Sequence, residues 1–83
     1  MTMTITVKLF AAIREVAGTD EVRLELPEGA TVGDAKHVLG QRLSVVVGLL
    51  SRSVIARNQD YALDTDMIAL GDELAVIPPV SGG

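Results

Sequence analysis

The spacing of apolar residues changes twice along this chain, and the change limits the folds that the sequence can adopt. Apolar and polar residues alternate over residues 4–10 and 21–26, which is the period of half-buried strands. After Thr31 the period becomes that of a helix, and over residues 73–77 it returns to that of a strand. The sequence therefore predicts an α+β domain in which one main helix packs on one face of a mixed sheet.

The helix is predicted to begin after Thr31, because the hydroxyl of this residue can accept a hydrogen bond from the backbone amide of Asp34. An acidic residue at that position also suits the positive end of a helix. The apolar stripe that follows has helical spacing and comprises Val32, Ala35, Val38, Leu39 and Leu43. Residues 44–51 either extend this helix or form a separate helical turn, and the sequence leaves both open.

The second half of the chain reads as short strands joined by turns. Residues 53–58 favour a strand because they include β-branched side chains, and a turn then leads to a further strand candidate at residues 61–63. A turn at residues 71–72 comes before the last strand. Pro78 and Pro79 end that strand, since proline has no amide hydrogen for a sheet.

A chain of 83 residues is long enough for one small core, so we assign residues 1–77 to a single domain and residues 78–83 to a flexible, extended tail. The absence of cysteine excludes a disulfide framework, a thiolate nucleophile and a zinc–thiolate site. We expect His37 to be a solvated surface residue and the carboxylates of residues 64–66 to belong to a turn, so no metal site is predicted. These features disfavour an enzyme that is catalytic alone.

Acidic residues are concentrated in the last third of the sequence. Residues 1–57 contain all seven basic residues and six acidic ones, whereas residues 58–83 contain five acidic residues and no basic one. The two parts carry formal charges of +1 and -5, which sum to the net charge of -4. We expect a basic partner surface around the tail, with Asp72 and Glu73 as its contacts. Alternatively, the acidic loops only keep a small domain soluble.

The net negative charge also argues against binding to nucleic acid or to an anionic membrane. The longest apolar run, residues 45–50, is far shorter than the roughly 20 residues that cross a bilayer. The N-terminus lacks the basic start and the small-residue cleavage site of a signal peptide. We therefore expect a cytoplasmic protein with no membrane partner.

The tail has the sequence Pro-Pro-Val-Ser-Gly-Gly and ends at Gly83. Its prolines favour an extended path, and six residues can reach about 20 Å at roughly 3.3–3.6 Å each. Two glycines at the tip would pass through a narrow tunnel into another protein's active site, where the terminal carboxylate would be the reactive group. The alternative is a frayed end without a function.

Seven short segments, in order along the chain, carry a resemblance to a known family. They are Leu9-Phe10-Ala11, Arg14-Glu15, Gly18, Thr31-Val32-Gly33-Asp34, Asn58-Gln59-Asp60-Tyr61, Gly71-Asp72-Glu73 and the ending Pro78-Pro79-Val80-Ser81-Gly82-Gly83. Together they resemble the small subunits of molybdopterin synthase. The most specific part is the Gly-Asp-Glu turn, followed by one strand and the Pro-Pro-Val-Ser-Gly-Gly ending. The resemblance implies a ubiquitin-like β-grasp fold, in agreement with the predicted order of elements.

The resemblance also implies the chemistry. A ubiquitin-activating-like enzyme uses ATP and Mg to adenylate the terminal glycine, and a sulfur donor protein supplies the sulfur that turns it into a thiocarboxylate. The large subunit, in a heterotetramer with this chain, then uses the thiocarboxylate to add sulfur to a cyclic pterin precursor in molybdenum cofactor biosynthesis. The chain itself would bind no cofactor and would be the sulfur-donating subunit of a sulfurtransferase complex.

The same resemblance assigns roles to residues near the two ends of the chain. Gly83 would carry the reactive acyl group, and Gly82 would keep the approach to it slim. The residues that would line the entry to both partners' active sites are Pro78, Pro79, Val80 and Ser81. The alternation of the first strand places Phe10 on its outward face, where it is expected to contact a partner or, alternatively, to pack against the core as an edge residue. Arg14 is expected to pair with an acidic residue of the activating enzyme or, alternatively, to be a solvated loop charge.

Three other functions stay open on the residues alone. The same tail chemistry would serve a sulfur carrier of another pathway, such as the synthesis of the thiamine thiazole or of an amino acid. A ubiquitin-like protein modifier would instead attach the terminal glycine to lysines through isopeptide bonds. A plain interaction domain would have an inert tail.

Overall fold

β1 (Thr2–Leu9) and β2 (Glu21–Pro27), whose alternating residues predict strands, form an antiparallel pair. The computed structural model of the protein describes residues 1–79. In β2 the apolar side chains of Val22, Leu24 and Leu26 are buried, and the charged residues between them lie on the opposite face. The pairing therefore buries one face of the ribbon and leaves the other face polar.

A short helix that the sequence does not indicate connects these strands. α1 (Ala11–Ala17) follows Phe10 without a side-chain cap and ends at Gly18, which has a φ of 78°. Its one buried residue is Ile13, so the helix has no apolar stripe long enough to show a helical period. In the sequence, Gly18 indicates a turn at the end of this segment but does not indicate a helix before it. The helix is therefore an addition to the predicted order of elements.

α2 (Val32–Arg42) begins where the sequence predicts. Thr31 Oγ1 accepts a hydrogen bond from the Asp34 amide at 3.2 Å, and Asp34 Oδ2 accepts one from the Thr31 amide at 3.0 Å. This capping box satisfies two amides that no helical carbonyl reaches. The stripe residues that are buried or pack against the core are Val32, Ala35, Val38, Leu39 and Leu43.

The segment after α2 is a separate pair of turns and does not continue the helix. A 3₁₀ turn at Ser44–Val46 leads directly into α3 (Val47–Leu50). Leu43 ends α2 with a φ of -124° and a ψ of 64°, which is not a helical conformation. Val46 and Leu50 are buried, so the two turns add their apolar side chains to the core.

Five strands form one mixed sheet in the order β2-β1-β5-β3-β4. The remaining strands are β3 (Val54–Arg57), β4 (Asp60–Ala62) and β5 (Glu73–Ile77), each close to its predicted position. β5 is parallel to β1 and antiparallel to β3, and β3 is antiparallel to β4. The last strand of the chain therefore lies in the middle of the sheet.

The core lies between this sheet and the helices. Its large, fully buried side chains are Ile5, Val7, Leu9, Ile13, Leu24, Leu26, Val32, Leu39, Val46, Leu74 and Val76. The strand residues that alternate with them are mostly exposed or half-buried, so the helices cover one face of the sheet. This is the α+β arrangement that the sequence predicts. Among residues 1–79, every helix is too short or too polar to span a bilayer.

Candidate functional site

β5 fixes the point from which the tail leaves the domain. It is paired with strands on both sides, and the side chains of Leu74 and Val76 are buried. Pro78 and Pro79 follow directly and end the strand. The tail therefore starts from a strand that is held in the middle of the sheet. The other predicted tail residues lie outside the described residues; they are Val80, Ser81, Gly82 and Gly83.

The sheet face that the helices leave uncovered, here called the outer face, carries an apolar patch beside this exit. The register of β3 and β5 places Ala56 next to Ala75 and Val54 next to Ile77. Ala56 is in turn paired with Tyr61 of β4. Because these residues alternate with core residues on their strands, their side chains lie on the outer face. We define the exit patch as Phe10, Val54, Ala56, Tyr61, Ala75 and Ile77.

Large apolar side chains of the exit patch are exposed to solvent. The exposed fraction is 46% for Phe10, 46% for Val54, 79% for Tyr61 and 38% for Ile77. Exposed apolar residues that are grouped on one face mark interaction surfaces, whereas isolated ones are ordinary. The exit patch is therefore a candidate partner-binding surface that adjoins the start of the tail.

Phe10 extends the patch past the end of β1. Its backbone is extended, with a φ of -128° and a ψ of 157°, and the next residue, Ala11, has a φ of 51°. The chain turns at Ala11 into α1, and the Phe10 ring stays outside the core. Core packing, one of the two alternatives that the sequence leaves open for Phe10, is therefore wrong, and a partner contact of this ring stays a prediction.

A salt bridge borders the exit patch on its β1 side. Lys8 is paired with Ala75 across the sheet, and Lys8 Nζ lies 3.0 Å from Glu21 Oε2 on β2. The pKa of Lys8 is raised, because Glu21 accepts a hydrogen bond from the ammonium group and adds negative charge, and Glu73 adds more. A positive charge is thus held at the edge of the apolar surface.

Two turns in the segments that carry the family resemblance, one after β3 and one before β5, are hydrogen-bonded to each other. Asn58 Nδ2 donates a hydrogen bond to Asp72 Oδ1 at 2.8 Å, and the Glu73 amide donates one to Asn58 Oδ1 at 2.9 Å. Asp72 Oδ2 also accepts a hydrogen bond from the Ala69 amide at 2.8 Å. These bonds, here called the Asn58–Asp72 bracket, tie the β3–β4 turn to the first residue of β5.

Both oxygens of the Asp72 carboxylate accept hydrogen bonds in this bracket. The Ala69 amide lowers the pKa of Asp72, and the Asn58 side chain and the charge of Arg57 lower it further, against the opposing effect of burial. The Asp72 side chain is only 12% exposed, so this carboxylate serves the fold and offers little surface to a partner. Glu73, by contrast, is exposed on the outer face.

Arg14 lies on α1 and not in a loop. Its side chain is exposed, and its backbone carbonyl accepts the Gly18 amide that ends the helix. Within residues 1–79 its guanidinium forms no salt bridge. Pairing with an acidic residue of an activating enzyme stays a prediction for this residue.

The structure places the solvated histidine and the acidic turn that the sequence predicts. His37 is exposed on α2. Asp64 Oδ1 accepts a hydrogen bond from Lys36 Nζ at 3.3 Å, and Asp66 Oδ2 accepts one from the Leu63 amide at 2.9 Å. Within residues 1–79 no three His, Asp or Glu side chains come together in a way that could hold a metal ion.

Of the residues in the exit patch, only Phe10 is a candidate partner contact on the sequence alone. Val54, Ala75 and Ile77 occupy outward positions of predicted strands, and an apolar residue at an outward position is itself a signal of a binding surface. The sequence does not show which strands are neighbours, however. The patch becomes visible only when the register brings these positions together.

Comparisons with known proteins agree with this fold. Residues 7–83 match the ThiS family. The chain is 41% identical over 83 residues to the molybdopterin synthase sulfur carrier subunit of Chlamydomonas reinhardtii, covering 98% of this chain and 100% of that protein. It is 43% identical over 84 residues to small archaeal modifier protein 1 of Haloferax volcanii, covering 92% and 97%. The crystal structure of SAMP1 from Haloferax volcanii superimposes with a TM-score of 0.87 at 36% identity, covering 96% and 99%.

Two more distant structures bear on the fold alone. Subunit 1 and 2 of the molybdopterin-converting factor of Helicobacter pylori form a complex whose matching chain has a TM-score of 0.69 at 20% identity, covering 98% of this chain and 100% of that one. The ubiquitin of Caldiarchaeum subterraneum has a TM-score of 0.68 at 20% identity and full coverage of both chains, 100% each. The fold is therefore the ubiquitin-like β-grasp that the resemblance implies. Because the family match spans nearly the whole sequence and the relatives match along most of their length, the chain belongs to the ThiS family.

Proposed function

We propose that this chain is the sulfur-carrier small subunit of molybdopterin synthase and acts in cytoplasmic molybdenum cofactor biosynthesis. Its membership of the ThiS family and its identity to carrier subunits support this function. The chain has no cysteine, so a carried sulfur must reside on another group. Under the proposal that group is the terminal carboxyl of Gly83.

The carboxyl group of Gly83 must be activated before it can take up sulfur. A carboxylate resists nucleophilic attack because it is negatively charged, whereas an acyl adenylate offers AMP as a leaving group. AMP then departs with one carboxyl oxygen, and the sulfur supplied by a donor protein takes its place. Since the sequence has no glycine-rich phosphate loop, the adenylating partner would bind the ATP and Mg.

The observation that carries the proposal is the arrangement of the tail and the exit patch. Residues 78–83 follow a strand that is paired on both sides, and the exit patch lies on the same end of the sheet. A large subunit that covers this patch would receive an extended tail, with Gly82 and Gly83 at its tip, in its own active site. The identity of the chain to carrier subunits of molybdopterin synthase supports a large subunit as the partner, and we propose a heterotetramer of two carriers and two large subunits.

Intact-mass analysis tests the carrier function directly. The chain is incubated with the adenylating enzyme, ATP, Mg and the sulfur donor. We expect a species in which one oxygen atom is exchanged for sulfur, and fragmentation should place the exchange at Gly83. Adding the large subunit and the cyclic pterin precursor should then return the chain to its original mass while the pterin gains sulfur.

Two variants serve as controls for this experiment. A chain that lacks Gly83 should stay unmodified, whereas Gly48→Ala, at an α3 position where an added Cβ meets no atom within 4 Å, should take up sulfur normally. If the complete chain never gains sulfur under these conditions, the carrier function is wrong. If it gains sulfur but the pterin does not, the chain is a carrier of another pathway.

A protein modifier is the second candidate, and one observation favours it. The chain is 43% identical to small archaeal modifier protein 1. In this function the activated Gly83 would form an isopeptide bond with a lysine of a target protein. Mass spectrometry of cell extracts would detect lysines that carry the C-terminal residues of this chain. Thiocarboxylate formation without such conjugates would exclude this candidate.

A further inference from the structure

Lysine is scarce among the basic residues of this chain. Of the seven basic residues only Lys8 and Lys36 are lysines, and the other five are arginines. The distinction matters because an activated carboxyl group reacts with amines, and a lysine amine becomes a nucleophile when it loses its proton. A guanidinium keeps its proton in proteins and is therefore not an acceptor. The side chains of this sequence thus offer two amines that an acyl group could modify.

Lys8 lies near the start of the tail. It is paired with Ala75 of β5, three residues before Pro78, which corresponds to about 10 Å along a strand at roughly 3.3 Å per residue. Six tail residues can span about 20 Å when extended, at roughly 3.3–3.6 Å each. The reach of the tail therefore includes Lys8, and attack of its amine on an activated Gly83 would consume the chain.

The amine of Lys8 is held by a carboxylate on the neighbouring strand. The register of β1 and β2 places Glu21 directly opposite Lys8, and Glu21 Oε2 lies 3.0 Å from Lys8 Nζ. The hydrogen bond to Glu21 and its charge raise the pKa of Lys8, and Glu73 on β5 and Asp20 before β2 add to the effect. The ammonium group is therefore held more firmly in its protonated form, which has no lone pair with which to attack an acyl group.

Lys36 is held in the same way on the helical side of the domain. Its Nζ donates a hydrogen bond to Asp64 Oδ1 at 3.3 Å, and only 22% of its side chain is exposed. The Gly33 amide donates a hydrogen bond to the Asp64 carbonyl at 2.9 Å, so the backbone that carries this carboxylate is fixed against the start of α2. Both lysines of the chain thus face a carboxylate that the fold positions.

We propose that Glu21 and Asp64 are positioning residues that keep the chain's own lysines from accepting its activated carboxyl group. The inference rests on the proposed function, because it concerns an activated Gly83. In the reaction that the two carboxylates suppress, a lysine Nζ attacks the carbonyl carbon of the acyl adenylate and a C–N bond forms. The bond from that carbon to the AMP oxygen breaks, AMP leaves with the electron pair, and the nitrogen loses a proton.

This suppression has a consequence under either candidate function. As a sulfur carrier, the chain would stay available for sulfur uptake and would not be lost to acylation of its own copies. As a protein modifier, it would be attached to targets singly and would not form lysine-linked polymers of itself.

Competitive acylation of the folded chain tests the inference without any partner. The chain and a short peptide with one free lysine are treated together, near neutral pH, with a trace of acetic acid N-hydroxysuccinimide ester. Peptide mass spectrometry after digestion gives the acetylation rate of each lysine. We expect Lys8 and Lys36 to react several-fold more slowly than the lysine of the peptide. Rates equal to that of the peptide would overturn the proposal.

Matched variants separate the effect of each carboxylate from that of the fold. Glu21→Gln should raise the acetylation rate of Lys8 about threefold or more and leave that of Lys36 unchanged, because only one ammonium group loses its partner. The control is Glu25→Gln, which removes an exposed carboxylate from the same strand and should change neither rate. A general loosening of the domain would raise both rates together. Equal rates at Lys8 in the two variants would overturn the role of Glu21.

The reciprocal pair of variants addresses the other lysine. Asp64→Asn should raise the acetylation rate of Lys36 about threefold or more without changing that of Lys8. Asp60→Asn, at an exposed position of β4, is the control and should behave like the original chain. An Asp64→Asn protein in which Lys36 reacts no faster than in the control would overturn the role of Asp64.

A second experiment uses the adenylating enzyme, ATP and Mg without the sulfur donor. Release of pyrophosphate shows that Gly83 is activated, and intact mass shows whether chains cyclise or become joined with loss of water. We expect pyrophosphate without products in which Gly83 is linked to Lys8 or Lys36. Such products would overturn the inference and leave the activation of Gly83 intact. Absence of pyrophosphate would contradict the proposed function alone, and the acetylation rates would still decide the inference.

Discussion

Two neighbouring carboxylates at the start of β5 have different roles. Asp72 binds the Ala69 amide and the Asn58 side chain, while Glu73 is exposed on the outer face. From the sequence alone, both residues count equally as acidic surface. The sequence does not show which of the two carboxylates forms hydrogen bonds within the domain. The structure therefore separates a residue that stabilises the domain from a residue that can meet a partner.

Replacing Asp72 with alanine should lower the free energy of unfolding at neutral pH by about 1–3 kcal/mol, because its charged carboxylate holds two hydrogen-bond donors. The pKa of Asp72 is lowered in the folded protein from its ordinary value of 3.8. Its stabilising effect is therefore complete above that value and is lost as the pH falls through the folded-state pKa. Urea unfolding of both proteins at neutral and acid pH measures the effect.

The matched control for Asp72→Ala is Glu15→Ala, which removes an exposed carboxylate from α1. Its effect on the free energy of unfolding should be small at every pH. If the difference between the original chain and Asp72→Ala did not change with pH, the charge of Asp72 would not be the source of the stability.

Reversing the charge of Glu73 should act on partners and not on the fold. Glu73→Lys should slow the association with a large subunit or an adenylating enzyme several-fold at low salt, because it removes attraction to a basic surface. Stopped-flow or surface-plasmon measurements at two salt concentrations test this. An association rate that is unchanged at low salt would show that the acidic surface does not guide partners.

At the scale of elements, the two longer helices differ in how well the sequence predicts them. α2 has a side-chain cap, an acidic residue in its first turn and a buried stripe, so its start is predicted correctly. α1 has none of these features, and the positive φ of Ala11 is imposed by the turn out of β1. Tertiary contacts, above all the burial of Ile13, hold α1 in place, and such contacts cannot be read from local sequence.

The capping box of α2 gives a prediction at the same scale. Thr31→Ala should lower the free energy of unfolding by about 0.5–2 kcal/mol, because the Asp34 amide loses its acceptor. Thr31→Ser keeps a hydroxyl and should retain most of this stability. Urea unfolding with an unchanged m-value would confirm that the fold is preserved. Equal losses for the two variants would contradict a role of the hydroxyl.

The candidate site is less predictable from sequence than the elements that form it. The tail pattern and Phe10 are local, so they can be recognised in the sequence. The pairing of Val54 with Ile77 depends on β5 lying between β1 and β3, which is a property of the sheet. Non-local register of this kind leaves no mark on the spacing of residues within a strand.

At the scale of the whole molecule, charge and apolar surface are divided between two faces. The outer face joins the exit patch to exposed Glu73, and the helical side carries a cleft between α2 and α3 that is lined by Gly40, Val47 and Leu50. The sequence divides into a slightly basic part and an acidic part, but this division does not match the two faces. Residues 64–67 of the acidic part lie against α2, which belongs to the basic part. The structure thus offers two separate surfaces on one small domain.

The exit patch should dominate the affinity for a large subunit. Val54→Asp places a charge in the patch and should weaken binding about tenfold or more while the domain stays folded, because Val54 is 46% exposed. Val16→Asp, which is 49% exposed on α1, is the control and should bind normally. Isothermal titration calorimetry measures both. Equal affinities of the two variants would place the partner surface elsewhere.

The position of β5 between β1 and β3 also has a mechanical consequence. Tension on the tail acts along the axis of β5, and its hydrogen bonds to both neighbours run across that axis. A pull therefore loads these bonds together, in shear, and does not open them one after another from an edge. An enzyme that draws the tail into a tunnel can hold it firmly without peeling the strand from the sheet. A proteolytic machine that grips the same tail should likewise meet high resistance to unfolding.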